Sequence, residues 1–339
     1  MANSIALFKK YVDLLDEVYK VSAKTSVLDM DGSLVQAGAN ANEITIPKMS
    51  MDGLADYSRS SGYVGGDVDL TYETVKFNYD RGRKFSVDAM DNEETAGIAF
   101  GKLSSEFIRT KVVPELDAVR FATYAGVEGI GEAKENLTSG GEVVLAAVTA
   151  ANNAMDEAEV DADGRYLFIT PTLHNLINAV DSYKSKAMLD RFAAVIDVPQ
   201  SRFYTAVALM DGKTGDEKSG GYKKADAVYE VTASQPADWS TNYKSYFTKS
   251  GNDYTAVSGS SAPSWAAGTY YKQVSAGGAA INFMIVQKSA AIQYSKHTVN
   301  KVFTPDENQD SDGWVFCYRA YGLTDAYENR AAGIYCSHE

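Results

Sequence analysis

The 339-residue sequence has few cysteines, few histidines and no excess of positive charge. Its two cysteines, Cys317 and Cys336, are too few for a disulfide framework or a four-thiolate metal site. We predict that both are buried, reduced thiols, with a disulfide between them as the alternative. The 32 basic and 45 acidic side chains give a net charge of −13, which excludes broad electrostatic attraction to nucleic acid or to an anionic membrane.

No apolar run approaches the roughly 20 residues that a membrane-spanning helix needs. The longest run, residues 143–151, is interrupted by Thr149 and has the spacing of a helix. The N-terminus lacks the uninterrupted apolar stretch of a signal peptide. The sequence therefore predicts a globular protein that is made in a cytoplasm and does not enter a membrane.

Enzyme motifs are missing as well, because the sequence has no P-loop, no nucleophile elbow and no HExxH. His174 has no cysteine or acidic residue at the spacing of a metal ligand. The carboxylates of Asp88, Asp91, Glu93 and Glu94 are a candidate acid–base or metal group, but Asp91 and Glu94 have the spacing of a helix capping box. We predict no catalytic, cofactor-binding or metal-binding residues.

Residues 308–313 match the first half of a calcium-binding loop. That pattern requires a bidentate glutamate six residues after Gly313, where this sequence has Arg319. A solvated turn between two strands is the prediction for this segment.

Extended elements dominate the first part of the chain. Residues 44–46 have the pattern of a strand, and residues 68–79 return as a second strand after the glycine-rich excursion of residues 47–66. The apolar alternation changes register between Tyr72 and Val75, which predicts a β-bulge. A two-stranded ribbon has little core of its own, so we expect it to rest on something else, with a second chain as the candidate.

Two amphipathic helices flank this ribbon in the sequence. The first is N-terminal and can pack on its own core or on a neighbouring subunit; its apolar residues are Ile5, Phe8, Val12, Leu15 and Tyr19. The second follows the ribbon, with the apolar stripe Phe100, Leu103, Phe107, Val112, Leu116 and Val119. Pro114 interrupts the stripe, and either bends one long helix or begins a second one. We favour a long helix with a kink at Pro114, because the stripe has no gap.

The rest of the chain mixes both element types, which predicts an α+β fold. Helices are predicted at residues 143–158 and 171–180. Strands are predicted at residues 166–170, 202–209, 281–286, 297–303, 314–321 and 333–336. The glycine-rich residues 126–131 lack the GxGxxG order and are predicted to be a loop.

Residues 213–275 differ from the rest in composition and are predicted to be a small inserted β-rich domain. Seven lysines and six acids give this segment a charge of +1, so the remaining chain carries −14. The segment is rich in tyrosine and has almost no leucine or isoleucine. Its aromatic residues either form its core or contact a glycan or a partner; the candidates for contact are Trp239, Tyr243, Tyr246, Trp265 and Tyr270.

Several segments resemble the major capsid proteins of tailed bacteriophages. They are residues 79–95 (YDRGRKFSVDAMDNEET), 113–117 (VPELD), 53–58 (GLADYS), 302–308 (VFTPDEN) and 333–335 (GIY). These segments are spread over nearly the whole chain except residues 213–275. The resemblance implies the Hong Kong 97-type capsid fold, with an N-terminal arm, an extended β-loop, a peripheral domain with a long spine helix, and an axial domain.

The resemblance also implies a division of the chain. Residues 1–40 would be the N-terminal arm, 41–90 the extended loop and the start of the peripheral domain, and 91–140 the spine helix and peripheral domain. Residues 141–212 and 276–339 would form the axial domain and returning peripheral strands. Residues 213–275 lie outside the common fold and are expected to project outward at the shell surface as an insertion domain.

The implied function is that of a shell protein, not an enzyme, needing no cofactor. Copies of the chain would form hexamers and pentamers that enclose double-stranded DNA, without sequence-specific binding, in the capsid of a virion assembled in the bacterial cytoplasm. A separate scaffolding protein and a portal are expected partners, and a decoration protein or glycan is a candidate partner of residues 213–275. A cellular nanocompartment shell and a carbohydrate-binding surface adhesin are the alternatives.

Overall fold

The computed structural model describes residues 23–30, 36–37, 43–57, 59–60, 62–90, 103, 105–180, 183–251 and 253–339. The predicted N-terminal helix and the capping box of Asp91 and Glu94 lie outside these residues. The chain forms two compact units: Met1–Thr110 with Lys288–Tyr327, and Lys111–Gln287 with Glu328–Glu339. This division falls inside the segment that we assigned to the spine helix.

Helices and strands alternate along the chain, as the α+β prediction requires. The α-helices are α1 (Val113–Ala125), α2 (Gly141–Glu157), α3 (Pro171–Ala179), α4 (Tyr183–Leu189) and α5 (Trp239–Asn242). The first strands are β1 (Gln36–Ala37), β2 (Glu43–Met51), β3 (Val68–Lys76), β4 (Tyr79–Asp88), β5 (Gly131–Lys134), β6 (Arg165–Ile169), β7 (Ala194–Asp197), β8 (Val207–Leu209) and β9 (Tyr222–Lys224). The remaining strands are β10 (Val228–Val231), β11 (Tyr246–Ser250), β12 (Asp253–Ala256), β13 (Tyr270–Ser275), β14 (Ile281–Gln287), β15 (Ala291–Phe303), β16 (Gly313–Ala326) and β17 (Ile334–His338).

The first unit contains two antiparallel sheets, with strand orders β1-β2-β3 and β15-β16-β4. In the second of these, Phe85 and Phe316 lie opposite each other on neighbouring strands. The ring of Phe107, from the helix after β4, meets them edge-on, with centroids 4.8 Å from Phe85 and 6.3 Å from Phe316. Aromatic packing therefore holds Phe107 against strands β4 and β16.

The predicted long helix contains an irregular turn just before its proline. A π-helical turn occupies Ile108–Val112, and α1 follows it directly with Pro114 in its first turn. The backbone of Val112 keeps helical angles (φ −70°, ψ −52°), so the helical path continues. Proline cannot donate the usual hydrogen bond and crowds the preceding turn, and a wider turn relieves both problems. The kink at Pro114 itself stays a prediction.

The second unit is built on a five-stranded sheet of order β5-β17-β14-β6-β7. All seven residues of the central strand β14 are buried, as expected for a strand covered on both faces. Helices α2 and α3 supply the apolar layer on one side, and Gly141 makes their contact close: a Cβ at Gly141 would lie 2.0 Å from the carbonyl oxygen of Leu176. Any larger residue at position 141 would push these helices apart.

A buried arginine ties helix α2 to strand β6 in the same unit. Arg165 is 1% exposed, and its guanidinium donates to Asn152 Oδ1 at 2.7 Å and to Asp156 Oδ1 at 2.6 Å. Arg191 donates to the other carboxylate oxygen of Asp156 at 2.7 Å. Burial raises the pKa of Asp156, but the hydrogen bonds from the two guanidinium groups outweigh it and lower the pKa overall.

Residues 207–275 contain two further sheets. Strands β8 and β9 form a hairpin, and β10, β13, β11 and β12 form a four-stranded antiparallel sheet in that order. The backbones of Ala206, Ala225 and Gly278 meet where these strands leave the rest of the unit, through the bonds from Ala225 N to Ala206 O (3.1 Å) and from Gly278 N to Ala225 O (2.8 Å). A Cβ at Gly278 would lie 2.2 Å from Ala206 O, so this narrow crossing requires glycine.

The structure corrects three sequence expectations. Pairing of β2 with β3 runs without a register shift from Glu43–Lys76 to Met51–Val68, so the predicted bulge is wrong and β2 extends past Pro47. Only Val207–Leu209 of the predicted strand 202–209 is a strand, because residues 200–202 form a 3₁₀ turn. The predicted loop at 126–131 ends at Gly131, which is the first residue of strand β5. A four-residue strand at the edge of a sheet leaves no clear pattern in the sequence.

Candidate assembly surface

Strands β2 and β3 and the residues between them, 43–76, form a two-stranded structure that we call the ribbon. The short strand β1 pairs with β2 only at Ile44 and Thr45, so beyond these residues the two strands pair only with each other among the described residues. At its base, Ile44 is buried with Ile292 and Leu323, and Val75 packs against this cluster. The ribbon is therefore anchored at one end by an apolar cluster of its own unit.

The chain segment that leaves the ribbon is also fixed on its unit. The side-chain amide of Asn78 donates to Thr324 O at 2.6 Å, and Thr324 N donates back to Asn78 Oδ1 at 3.1 Å. The ring of Phe77 lies 4.7 Å from that of Tyr321. This reciprocal pair fixes the start of β4 against β16, which sets where the ribbon begins.

The tip of the ribbon, residues 52–67, is closed by two hydrogen bonds between Asp52 and Asp67. Asp52 N donates to Asp67 O at 3.2 Å, and Asp67 N donates to Asp52 Oδ2 at 2.9 Å. Within the tip, the rings of Tyr57 and Tyr63 lie 4.9 Å apart. Gly62, next to Tyr63, adopts a positive φ of 79°, which favours glycine.

The ribbon exposes apolar side chains that a folded domain normally covers. Sixteen large hydrophobic side chains of the described residues are exposed, and half of them lie between residues 51 and 72. These eight are Met51, Leu54, Tyr57, Tyr63, Val64, Val68, Leu70 and Tyr72. Such a concentration marks a surface for protein contact, since single exposed apolar residues are ordinary but clusters are not.

Towards the tip, one face of the ribbon carries exposed apolar residues of both strands. Val68, Leu70 and Tyr72 alternate along β3 and so share a face, and Met51 lies opposite Val68 on the neighbouring strand. Their exposed fractions are 66%, 50%, 58% and 67% in that order. The outer edge of β3 has no strand beside it among the described residues. The ribbon therefore offers both an apolar face and an unpaired strand edge.

Two exposed ion pairs lie on the three-stranded sheet β15-β16-β4 and the turn beside it. Arg319 donates to both carboxylate oxygens of Asp80, at 2.8 Å and 2.7 Å. The hydrogen bond from Arg319 lowers the pKa of Asp80, and the same bond raises the pKa of Arg319. Lys84 Nζ lies 3.5 Å from Asp310 Oδ2, in the turn between β15 and β16.

The predicted glycan-contact residues of the 213–275 segment lie in an aromatic core. Trp239, Tyr243, Tyr246 and Tyr270 are buried together, and Trp265 packs against them partly buried. Three of the polar tips bond to main-chain oxygens, including Trp239 Nε1 to Pro263 O at 3.0 Å. A ring that stacks on a sugar must expose a face, so this burial corrects the contact prediction for the four buried residues.

A second aromatic group shows that the four-stranded sheet is curled. Tyr229 and Tyr254 come from its two outer strands, β10 and β12, yet their rings stack with centroids 4.0 Å apart and planes at 10°. In a flat sheet these strands would be about 14 Å apart, at roughly 4.8 Å per strand. Phe247 meets the ring of Tyr229 edge-on at 4.9 Å, and Tyr271 meets the ring of Tyr254 edge-on at 5.2 Å. Aromatic side chains therefore fill both faces of this sheet, as the low leucine and isoleucine content requires.

The remaining candidate residues have structural surroundings. Asn308 Oδ1 accepts from Asp310 N at 3.2 Å, and the Asn308 amide donates to Gly313 O at 3.0 Å, which confirms a turn between strands. Asp88 ends β4 and accepts from Met90 N at 2.9 Å. Within the described part of the chain, no three His, Cys, Asp or Glu side chains are grouped to hold a metal ion.

Both cysteines are free thiols on strands of different sheets, Cys317 on β16 and Cys336 on β17. Burial raises the pKa of the Cys336 thiol to about 12, with a smaller contribution from Glu132. The predicted burial is confirmed for Cys336, whereas Cys317 is partly exposed. Among the helices of the described residues, none combines the length and the apolar character that crossing a bilayer requires.

Sequence reasoning missed two histidine–carboxylate pairs. His174 Nδ1 lies 2.7 Å from Asp197 Oδ1, and His338 Nε2 lies 2.6 Å from Glu132 Oε1. The partners are 23 and 206 residues apart in the sequence, so local spacing gives no signal for either pair. The exposed apolar face of the ribbon did have a signal, the tyrosine, valine and leucine alternation of β3.

No family model and no curated protein matches this chain. Among solved structures, it is similar to one from Mycobacterium phage Che8, with 12% identity and a TM-score of 0.45 over 88% of this chain and 85% of the other. It is similar to the capsid structure of Staphylococcus phage Andhra, with 13% identity and a TM-score of 0.49 over 92% and 84% of the two chains. It is also similar to a virus-like particle from Pyrococcus furiosus, with 9% identity and a TM-score of 0.49 over 96% and 99%.

Proposed function

We propose that this chain is the major capsid protein of a tailed bacteriophage, with a Hong Kong 97-type fold, and that copies of it form hexamers and pentamers of an icosahedral shell. The observation that carries the proposal is the ribbon, which is anchored at its base in one unit and exposes half of the large hydrophobic side chains that are exposed in the described chain. A surface of this kind is stable when a second copy covers it, because burial of apolar area drives association.

The sequence resemblance to capsid proteins supports the same function, because its segments are spread over the chain. Of the described residues in the quoted segments, 53–57 lie in the ribbon tip, 79–88 form β4, and 113–117 begin α1. The form of the ribbon supports an extended β-loop, which together with the start of the peripheral domain would span residues 41–90. The proposal is of a structural protein without catalysis, located in the virion capsid.

Charge supports the proposed cargo. Outside residues 213–275 the chain carries −14, so a wall built from it repels double-stranded DNA and encloses it without binding it tightly. A separate scaffolding protein and a portal are part of the proposal, as partners during assembly in the host cytoplasm.

Residues 213–275 are proposed to be an insertion domain at the outer shell surface. The support is their separate aromatic core and the narrow crossing at Ala206, Ala225 and Gly278. Since four of the five candidate aromatic residues are buried, a decoration protein or glycan would have to contact other side chains of this domain.

The size of the particle formed in bacteria tests the proposal. The chain is expressed with and without a candidate scaffolding protein and sized by chromatography and negative-stain microscopy. Round shells, tubes or hexamer-sized rings are the expected result. A monodisperse monomer in both preparations would contradict the proposal.

A further inference from the structure

A short segment that precedes the ribbon, residues 23–30, lies against the first unit, and we call it the strap. It contains a 3₁₀ turn at Lys24–Leu28. Thr25 and Leu28 are each 0% exposed, so the strap is packed as deeply as the core of the unit. Further along the chain, strand β1 pairs with β2 at the base of the ribbon. The strap is therefore fixed in place shortly before the chain enters the ribbon.

One buried side chain of strand β15 holds the strap. Gln293 is 0% exposed, and its side-chain amide donates to Thr25 O at 2.8 Å and to Asp29 Oδ1. The main-chain oxygen of Gln293 accepts from Met30 N at 3.0 Å. A buried amide is costly to leave without acceptors, so the position of the strap and the burial of Gln293 depend on each other.

The residue that holds the strap is paired with the residue that holds the exit of the ribbon. Gln293 lies opposite Thr324 on the neighbouring strand β16, and Thr324 is 3% exposed. The main-chain N and O of Thr324 are the groups that bond to the side chain of Asn78, where the chain leaves the ribbon. The strap and the exit of the ribbon therefore meet at a single cross-strand pair.

An apolar contact joins the strap to the base of the ribbon directly. Met30, the last residue of the strap, packs against the buried cluster that anchors Ile44. The other two buried members of this cluster, Ile292 and Leu323, each lie one position before the polar pair of β15 and β16. Polar and apolar contacts of the strap thus act on the same place, the base of the ribbon.

We propose that the strap is a lock on the ribbon, and that Gln293 is the residue that keeps it closed. While Gln293 holds the strap, the base of the ribbon is fixed on its unit; when the strap leaves Gln293, the base loosens. The distal ribbon keeps its own bonds, because β2 and β3 pair with each other there. The inference concerns one copy of the chain and does not rest on the proposed function.

Amide hydrogen exchange of the full chain, as dissociated subunits, tests the lock in the variant Gln293→Met. Methionine has a similar length but cannot donate to the strap, so two oxygens of the strap lose their donor. We expect exchange about tenfold faster at Met30 N–H and at the amides of residues 44–46 and 73–75, in the ribbon base. Exchange at Asp52 N–H, in the ribbon tip, and in β14 should keep the parental rate.

Gln287→Met is the matched control, because it removes a buried side-chain amide of the second unit. Gln287 is 7% exposed and donates to Asp163 O at 3.1 Å, so its loss should leave exchange in the strap and in the ribbon base unchanged. In Gln293→Met, a parental rate at Met30 would show that Gln293 does not hold the strap. Faster exchange at Met30 over an unchanged ribbon base, or equal acceleration in β14, would also overturn the lock.

The variant Asp29→Ala tests the lock from the side of the strap. Asp29 is partly exposed, so its replacement leaves no large cavity and removes one of the two acceptors of the Gln293 amide. We expect the same pattern of exchange with a smaller size, about threefold. A faster strap over a ribbon base at the parental rate in Asp29→Ala would contradict the lock, even where Gln293→Met does not fold.

Discussion

Strands β14 and β3 show two different uses of hydrophobic residues in one chain. Strand β14 is buried along its whole length, between β17 and β6 and under apolar helices of its own unit. Strand β3 has no buried side chain among those described, although it carries Val68, Leu70, Tyr72 and Val75. The first strand is stabilised within one copy of the chain, and the second has an apolar surface that one copy leaves in water.

This difference indicates where folding ends and assembly begins. A residue of β14 contributes to the free energy of unfolding of the single chain, whereas a residue of the distal ribbon contributes when a neighbour covers it. Substitutions in buried strands should therefore change the stability of the single chain, and substitutions in the distal ribbon should change assembly.

The largest effect on stability is expected from truncation in the second unit. Phe168 is fully buried on β6, and Phe168→Ala should lower the free energy of unfolding by about 3–5 kcal/mol, because a large cavity remains. Tyr72→Ala removes an aromatic side chain that is 58% exposed and should change the free energy of unfolding by less than about 0.5 kcal/mol. Urea unfolding of the dissociated subunits measures both; similar losses for the two variants would erase the contrast between core and ribbon.

A charge on the apolar face of the ribbon is expected to stop assembly while the subunit stays folded. Leu70→Asp places a carboxylate where the proposed neighbour would bury it unpaired, so the assembled fraction should fall at least about tenfold. Thr71→Asp, the next residue on the opposite face of β3, is the matched control and should assemble. Sizing chromatography measures both, and normal shells from Leu70→Asp would show that this face is not buried between copies.

The smallest effect is expected at the Asp80–Arg319 pair, which is about half exposed. Because Arg319 lowers the pKa of Asp80, the pair stabilises the folded state above the ordinary carboxyl range, and this contribution disappears as pH falls through the lowered pKa. Asp80→Asn should therefore be slightly less stable than the parent at pH 7, and the difference should shrink on acidification. Thermal unfolding at several pH values measures it, and a difference that grows towards low pH would contradict this sign.

Strong local patterns predicted the fold well. The continuous apolar run of β14, the helical stripe of α2 and the proline that opens α3 each identify their element within one or two residues. The errors arose where pairing decides the structure. Nothing local distinguishes a bulge from a straight ladder at Tyr72 and Val75, because the partner residues on β2 set the register.

The candidate surfaces were predicted less well than the fold. Composition alone did not show whether the aromatic residues of the 213–275 segment form a core or a contact surface. The packing of Trp239 against Tyr246 and Tyr270 shows that they form a core. The His338–Glu132 pair joins residues 206 positions apart, which no spacing rule detects. Contacts between residues far apart in the chain are the feature that is hardest to predict from a single sequence.

Oxidative footprinting distinguishes a ribbon whose apolar face is covered by a neighbouring copy from one whose face stays in water. Met51 is 67% exposed on the ribbon, whereas Met155 is 1% exposed in the second unit and serves as the buried reference. If a neighbouring copy covers this face, Met51 oxidises readily in dissociated subunits and is protected in assembled particles, while Met155 is protected in both. Equal oxidation of Met51 in particles and in subunits would contradict it.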